Sequence, residues 1–244
     1  AAVVGLRYLP FAVGFVAMAL LALAIVYYLV RSFGALRRSQ TINDEINRRI
    51  TPRTVGILPV HLYGHLAEMD TINAIAKAKN LWVLEDAAEA HGARYRSRPA
   101  GSLARASTFS FYGNKIITTG EGGMVLTNNT KMLAMLRLLR GQGMSPTQRY
   151  YHPVMGYNYR MTNLQAAIGV AQTERLSWHV ERRQHVDLGY RALLKDTPGV
   201  RFQRPMSYCQ TSGWMTTILV SPLVRDQVMA RLADAGIETR PAFI

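Results

Sequence analysis

Residues 107–123 read Ser-Thr-Phe-Ser-Phe-Tyr-Gly-Asn-Lys-Ile-Ile-Thr-Thr-Gly-Glu-Gly-Gly, and the reading of this stretch decides the fold. Ser107 to Tyr112 has the aromatic, β-favouring composition of a strand. A turn then carries Gly113-Asn114-Lys115, and the glycine-rich Thr118–Gly123 leads into a second strand, Gly123 to Thr127 (Gly-Met-Val-Leu-Thr). Upstream, the apolar run Leu81 to Leu84 reads as a strand ending on the acidic pair Glu85-Asp86. Before it, Asp70 to Lys79 has helical spacing through Ile72, Ile75 and Ala76, and Val55 to His61 reads as a buried strand despite Pro59. Strand, helix and strand in that order make a parallel crossover unit. Downstream, helices are expected at Lys131–Arg140 and, as one long element, at Asn163–Lys195. A strand follows at Trp214–Val220, then a helix at Leu223–Ala235 closed by Gly236. The class is α/β, and ligands of such sheets collect at the carboxyl ends of the strands.

Composition agrees with a folded chain. It has 244 residues, 49% hydrophobic and 18% charged, enough for one large domain or two modest ones and unlike a disordered segment. The one cysteine, Cys209, rules out an internal disulfide framework or a multi-cysteine zinc site. Lys and Arg outnumber Asp and Glu by 29 to 15, a net charge of +14 that suits an anionic partner. The basic residues form no long tract and are not interleaved with aromatic residues, so nucleic acid is not the expected partner. Membrane lipid or a phosphorylated small molecule remains.

Two positions carry chemistry. A lysine on a turn between an aromatic strand and a glycine-rich stretch is a candidate Schiff-base nucleophile, and a strand-end carboxylate can pair with a pyridinium nitrogen. Taken alone, Lys115 reads more readily as a solvated surface group and Asp86 as a helix cap. Ser110 is readable as one residue of a half-buried strand, and Asn158 as a turn former. His61 and His91 read as packed, hydrogen-bonded histidines, Met132 and Met135 as core, and Glu121-Gly122-Gly123 as backbone geometry at a tight turn.

The wording of several blocks narrows these alternatives. Glu85-Asp86-Ala87-Ala88-Glu89-Ala90-His91-Gly92-Ala93, the 107–123 stretch, Gly156-Tyr157-Asn158-Tyr159-Arg160-Met161-Thr162-Asn163, and Gly236-Ile237-Glu238-Thr239-Arg240-Pro241 closely resemble the DegT/DnrJ/EryC1/StrS-type nucleotide-sugar aminotransferases. The resemblance runs over residues 41–244. It implies the aspartate-aminotransferase-like fold of pyridoxal-phosphate (PLP) enzymes, here as a partial large domain (41–178) and a partial small domain (179–244). It further implies that Lys115 forms the Schiff base with PLP and shuttles protons, and that Asp86 holds the pyridine nitrogen protonated. Glu89 falls beside the cofactor ring, where many members carry Gln and the perosamine-making members carry Glu. Ser110 would bind the cofactor phosphate, and Asn158 would reach it from a neighbouring subunit, which makes a homodimer. The implied reaction moves an amino group from glutamate to the C4 ketone of a nucleotide-linked 4-keto-6-deoxy sugar. Related enzymes with histidine at the lysine position dehydrate instead, so Lys115 favours amino transfer.

The departures are as informative. Members carry a longer stretch ahead of the point matched by Thr41, including a Ser-Gly-Thr loop whose amides cradle the cofactor phosphate. Residues 1–40 contain no threonine. Leu103-Ala104-Arg105 stands where Gly-Asp is common, and the chain stops soon after the Gly236–Pro241 block. In place of the missing loop, Tyr8 to Val30 is uncharged and long enough to cross a bilayer, with Arg31, Arg37 and Arg38 after it. The expectation is a disrupted copy of a cytoplasmic enzyme, truncated at both ends, favoured over a purposeful membrane-anchored enzyme; residues 8–30 could still enter the membrane. A helix buried in a soluble protein is the other reading of that segment, and a non-catalytic membrane-associated remnant is the competing reading of the whole.

Overall fold

Three short strands run parallel and a fourth closes the sheet against them. β1 (Gly56–Ile57) pairs with β2 (Trp82–Asp86), and β2 pairs with a strand at Ala106–Ser110, both in parallel; that strand takes Gly123–Thr127 antiparallel, Ser110 opposite Gly123. The computed structural model describes residues 42–242; the expected membrane helix over 8–30 lies outside the described residues, among which no helix is long and apolar enough to cross a membrane. The chain divides into two units, residues 49–219 and the two ends together.

In the larger unit the helix α2 (Met69–Ala78) forms the crossover between β1 and β2. It begins where the Glu68 carboxylate accepts from the Thr71 amide at 2.9 Å. It buries Met69, Ile72, Ile75 and Ala76, spaced to fall on one side, against both strands. β3 (Arg94–Tyr95) and β4 (Arg98–Pro99) form a tight hairpin, and a strand at Cys209–Gln210 pairs with β3 to make a second small sheet. With β5 (Ala106–Ser110) and β6 (Gly123–Thr127) closing the main sheet, α3 (Thr130–Arg140) follows under an Asn129 cap, and α4 (Asn163–Glu174) opens on a capping box between Thr162 and Gln165. α5 (Leu176–Leu194) comes next, then β7 (Arg201–Phe202), β8 (Cys209–Gln210) and β9 (Ile218–Leu219), the first and last of these pairing antiparallel. Phe111, Ile116, Ile117, Val180 and Trp214 form a buried apolar cluster.

The other unit contributes α1 (Ile42–Arg49) and α6 (Arg225–Asp234). α6 ends as its sequence predicts: Gly236 takes φ +76°, and the amides of Gly236 and Ile237 return to the carbonyls of Ala233 and Leu232.

Several expectations shift. The single helix over Asn163–Lys195 is two, parted at Arg175, whose φ of −103° and ψ of 12° leave the helical track. The strand at Val55–His61 shrinks to Gly56–Ile57, with Val60 touching Asp86 through one further bridge, because Pro59 has no N–H to continue the ladder. The strand at Trp214–Val220 is reduced to Ile218–Leu219, and Trp214 is buried ahead of it. Met135 is 48% exposed rather than core, and β6 leaves Met124, Val125 and Leu126 exposed at the edge of the sheet.

Glu85 is the polar centre of this unit. It is fully buried, and its carboxylate accepts from the amides of Leu103 (2.7 Å) and Gly101 (2.8 Å) and from the His61 ring at 3.1 Å. His61 Nδ1 accepts in turn from the Ala67 amide at 3.2 Å, so the ring proton sits on Nε2, facing Glu85. Replacing Glu85 by Ala strands three buried donors, and we expect a loss of about 3–5 kcal/mol in urea unfolding. A loss under about 1 kcal/mol would show that water readily replaces the carboxylate.

Candidate active site

The carboxyl ends of β1, β2 and β5 bring Val60, Asp86 and Ser110 to one rim. Asp86 is fixed there by its backbone: its amide donates to the Pro59 carbonyl at 2.9 Å, and its carbonyl accepts from the His61 amide at 3.0 Å. Its side chain accepts from the Ala88 amide at 3.1 Å, which turns the chain directly after the strand so that no helix follows. That turn delivers Glu89. One Glu89 oxygen accepts from the Tyr63 amide at 2.8 Å, an amide aimed inward because Tyr63 takes the left-handed φ of 54°. Gly64 beside it has φ +76°, and a Cβ there would run into the Ser212 hydroxyl.

Lys115 arrives from the other side. After β5 the chain folds on itself: the Phe111 carbonyl accepts from the Thr119 amide and the Thr118 hydroxyl, and the Lys115 amide returns to the Tyr112 carbonyl. Ile116 and Ile117 are buried beneath, which leaves the Lys115 side chain 12% exposed at the rim. Its Nζ lies 3.7 Å from Glu89 Oε1 and 4.2 Å from the centre of the Trp214 ring. Burial is the main cause that pushes the Glu89 carboxyl above the usual range; the Tyr63 amide and the Lys115 ammonium oppose it, and the Asp86 charge adds to it. Lys115, Glu89 and Asp86 thus form one electrostatic cluster.

The other expected residues fall in different places. Ser110 is half-buried at the end of β5, where its hydroxyl accepts from the Tyr112 amide at 3.3 Å. Asn158 is exposed, on an isolated antiparallel bridge with Gly141, and among the described residues no hydrogen bond links it to the Lys115 cluster. Glu121 serves geometry, its carbonyl accepting from Thr119 and Gln165 between glycines of positive φ. Two neighbours were not expected from sequence, Tyr63 and Trp214, whose rings stack at 6.3 Å. A tryptophan in an otherwise polar Ser-Gly-Trp stretch was the available signal, since a buried indole needs a partner for its N–H.

His61 is the packed, bonded histidine expected, but His91 is not. It is 3% exposed, lies against the rings of Phe109 and Phe111, and neither ring nitrogen has a hydrogen-bond partner. The turn after Asp86 pushes it between aromatic residues, where the Ser110 backbone lies close but outside hydrogen-bonding geometry. Burial first, and the Lys115 charge second, lower its pKa to about 4, which the Ser110 backbone opposes weakly. A neutral histidine in the folded state and a titratable one in the unfolded state link folding to pH. The full stability contributed by a neutral His91 is present above pH 6.5 and is lost as the pH falls toward about 4. We expect His91→Phe to lose about 3 kcal/mol less than the wild type between pH 7 and pH 4 in urea unfolding. Parallel curves for the two proteins would show that His91 is not the group responsible.

Comparison with known proteins fits this geometry. Residues 37–244 match the family model of the DegT/DnrJ/EryC1/StrS aminotransferase family. The GDP-perosamine synthase of Caulobacter vibrioides is 51% identical over 201 residues, covering 80% of this chain and 53% of the relative, and that of Escherichia coli O157:H7 is 42% identical, covering 82% and 55%. Among solved structures, S. venezuelae DesV superposes with a TM-score of 0.74 at 36% identity, covering 79% of this chain and 51% of that one. Helicobacter pylori PseC, an aminotransferase of pseudoaminic acid biosynthesis, superposes with a TM-score of 0.78 at 27% identity, covering 83% and 56%. The chain spans about half the length of the curated relatives it matches. With a family model over most of its length and an amine and two carboxylates gathered at the carboxyl ends of a parallel sheet, the chain belongs to the DegT/DnrJ/EryC1/StrS aminotransferase family.

Proposed function

We propose that this chain carries the lysine-bearing half of a PLP-dependent aminotransferase acting on a GDP-linked 4-keto-6-deoxy sugar, with glutamate as amino donor and C4 as the acceptor carbon. The observation that carries the reading is the buried cluster in which the Lys115 amine meets Glu89 at 3.7 Å, with Asp86 close enough to act on Glu89. The substrate class rests on the 51% identity to a GDP-perosamine synthase and on glutamate at position 89.

The residues fit the cofactor. They offer one amine, a strand-end carboxylate for a pyridinium nitrogen, a hydroxyl at the end of β5, and an unmet polar demand in the two unpartnered nitrogens of His91. Bound PLP supplies an electron sink that makes the donor's α-proton removable. The chain's own groups do the rest. Asp86, fixed by backbone bonds on both sides, holds a positive charge at the rim. Lys115 Nζ takes up and returns a proton as general base and acid. Glu89, its carboxyl pushed above the usual range by burial, lies 3.7 Å from Lys115 and can exchange a proton with it. Ser110 donates its hydroxyl to an anion such as the cofactor phosphate, and Asn158, exposed on its bridge, supplies a further donor to a second subunit. The net charge of +14 favours approach of a diphosphate-bearing substrate.

Adding PLP to the purified chain is expected to give a visible absorption band that borohydride removes and that Lys115→Ala never shows. A folded wild-type chain with no such band, or a Lys115→Ala chain with the same band, overturns the reading.

A further inference from the structure

The segment Ser212-Gly213-Trp214 lies about a hundred residues from Lys115 in sequence, yet it is buried against three pieces of the rim. The Ser212 amide donates to the Gly64 carbonyl and its hydroxyl to the Glu89 carbonyl, both at 3.2 Å. The Trp214 indole N–H donates to the Asn114 carbonyl at 2.8 Å, next to Lys115 in sequence. The face of the same ring lies 4.2 Å from Lys115 Nζ, within range for a cation–π contact. From below, the α5 residue Gln184 anchors the strap by donating to the Thr211 carbonyl at 2.7 Å.

We propose that Trp214 is a positioning residue for Lys115. Its N–H fixes the backbone that carries the lysine, its face holds the ammonium, and Ser212 registers the same strap against Glu89. The two contacts of one side chain set where the amine stands relative to the carboxylate. Without them the lysine stem has four rotatable bonds and one carboxylate contact at 3.7 Å to define its place. Tyr63 backs the ring, stacking on Trp214 while it directs its own amide at Glu89. The inference rests on the proposed function only in taking Lys115 as the reactive amine.

The test therefore needs no cofactor. The full chain is labelled with acetic anhydride at limiting dose, and acetylation of Lys115 is scored by peptide mass spectrometry against Lys195, whose side chain is 71% exposed. In the wild type Lys115 is expected to label at least about tenfold more slowly than Lys195, on the scale of a held cation–π pair. Trp214→Met, which keeps an apolar side chain of long reach but removes ring and N–H, is expected to speed Lys115 labelling about threefold to tenfold. Trp214→Phe, which keeps a ring face but loses the N–H to Asn114, is expected to label at a rate between those of the wild type and Trp214→Met. A folded Trp214→Met chain that labels like the wild type overturns the proposal, as does Trp214→Phe labelling as fast as Trp214→Met. If Trp214→Met fails to fold, the wild-type comparison still decides, because equal labelling of Lys115 and Lys195 overturns the proposal. With PLP added, loss of the visible band in the wild type would sink the aminotransferase reading and leave these labelling results standing.

Discussion

The carboxylate of Glu85 sits where water cannot reach it, one oxygen holding the Leu103 amide and the other holding both the Gly101 amide and the His61 ring. A buried charge of this kind is tolerated only when its lone pairs are filled, and here backbone donors fill them at short range. The consequence is spatial. β2 cannot shift relative to the 101–103 loop or to the chain after β1 without stranding a donor. Asp86, the next residue along, inherits that fixity, because the residue that bonds Glu85 through its ring also bonds the Asp86 carbonyl through its amide. The reactive rim is thus built on a strand end that is held from three directions before any side chain of the rim takes part.

On that base the site is assembled from pieces far apart in sequence. Left-handed backbone at Tyr63 and Gly64 turns an amide toward Glu89, the turn after Asp86 presents Glu89 itself, and the loop after β5 brings the lysine. Each piece contributes one polar group that meets a group from another piece: the Tyr63 amide and the Lys115 amine both meet the Glu89 carboxylate. Gly64, Glu89 and the Ser212–Trp214 strap thus share partners, the condition under which effects of substitution do not add.

Much of this was legible in the sequence, and the rest was hidden for identifiable reasons. The strands around Glu85-Asp86 and before Lys115 declared themselves through apolar and aromatic runs, and the Gly236 helix stop through a single glycine with its expected geometry. The break at Arg175 was not legible, since no glycine or proline marks it and the apolar spacing continues through it. Nor were the two-residue strands of the second sheet, which are too short to show alternation. Lys115, Glu89 and Asp86 could be named from their blocks, but their contact could not. The Trp214 contact depends on a fold that spans a hundred residues, which no local pattern encodes. His91 misled because a histidine among aromatic residues looks the same in sequence whether or not its nitrogens find partners.

The edge formed by β6 bears on how the chain behaves in company. Met124, Val125 and Leu126 are exposed on a strand that, among the described residues, has a neighbour on one side only, so the ribbon can recruit another like it. Opposing that short-range attraction is the mutual repulsion of molecules that each carry +14. The first force acts over a hydrogen-bond length and the second over a Debye length of roughly 10 Å at 0.1 M salt. Raising the ionic strength weakens only the second. Concentrated, salty buffers therefore tilt the colloidal balance toward strand-to-strand association, and dilute, low-salt ones keep the molecules apart.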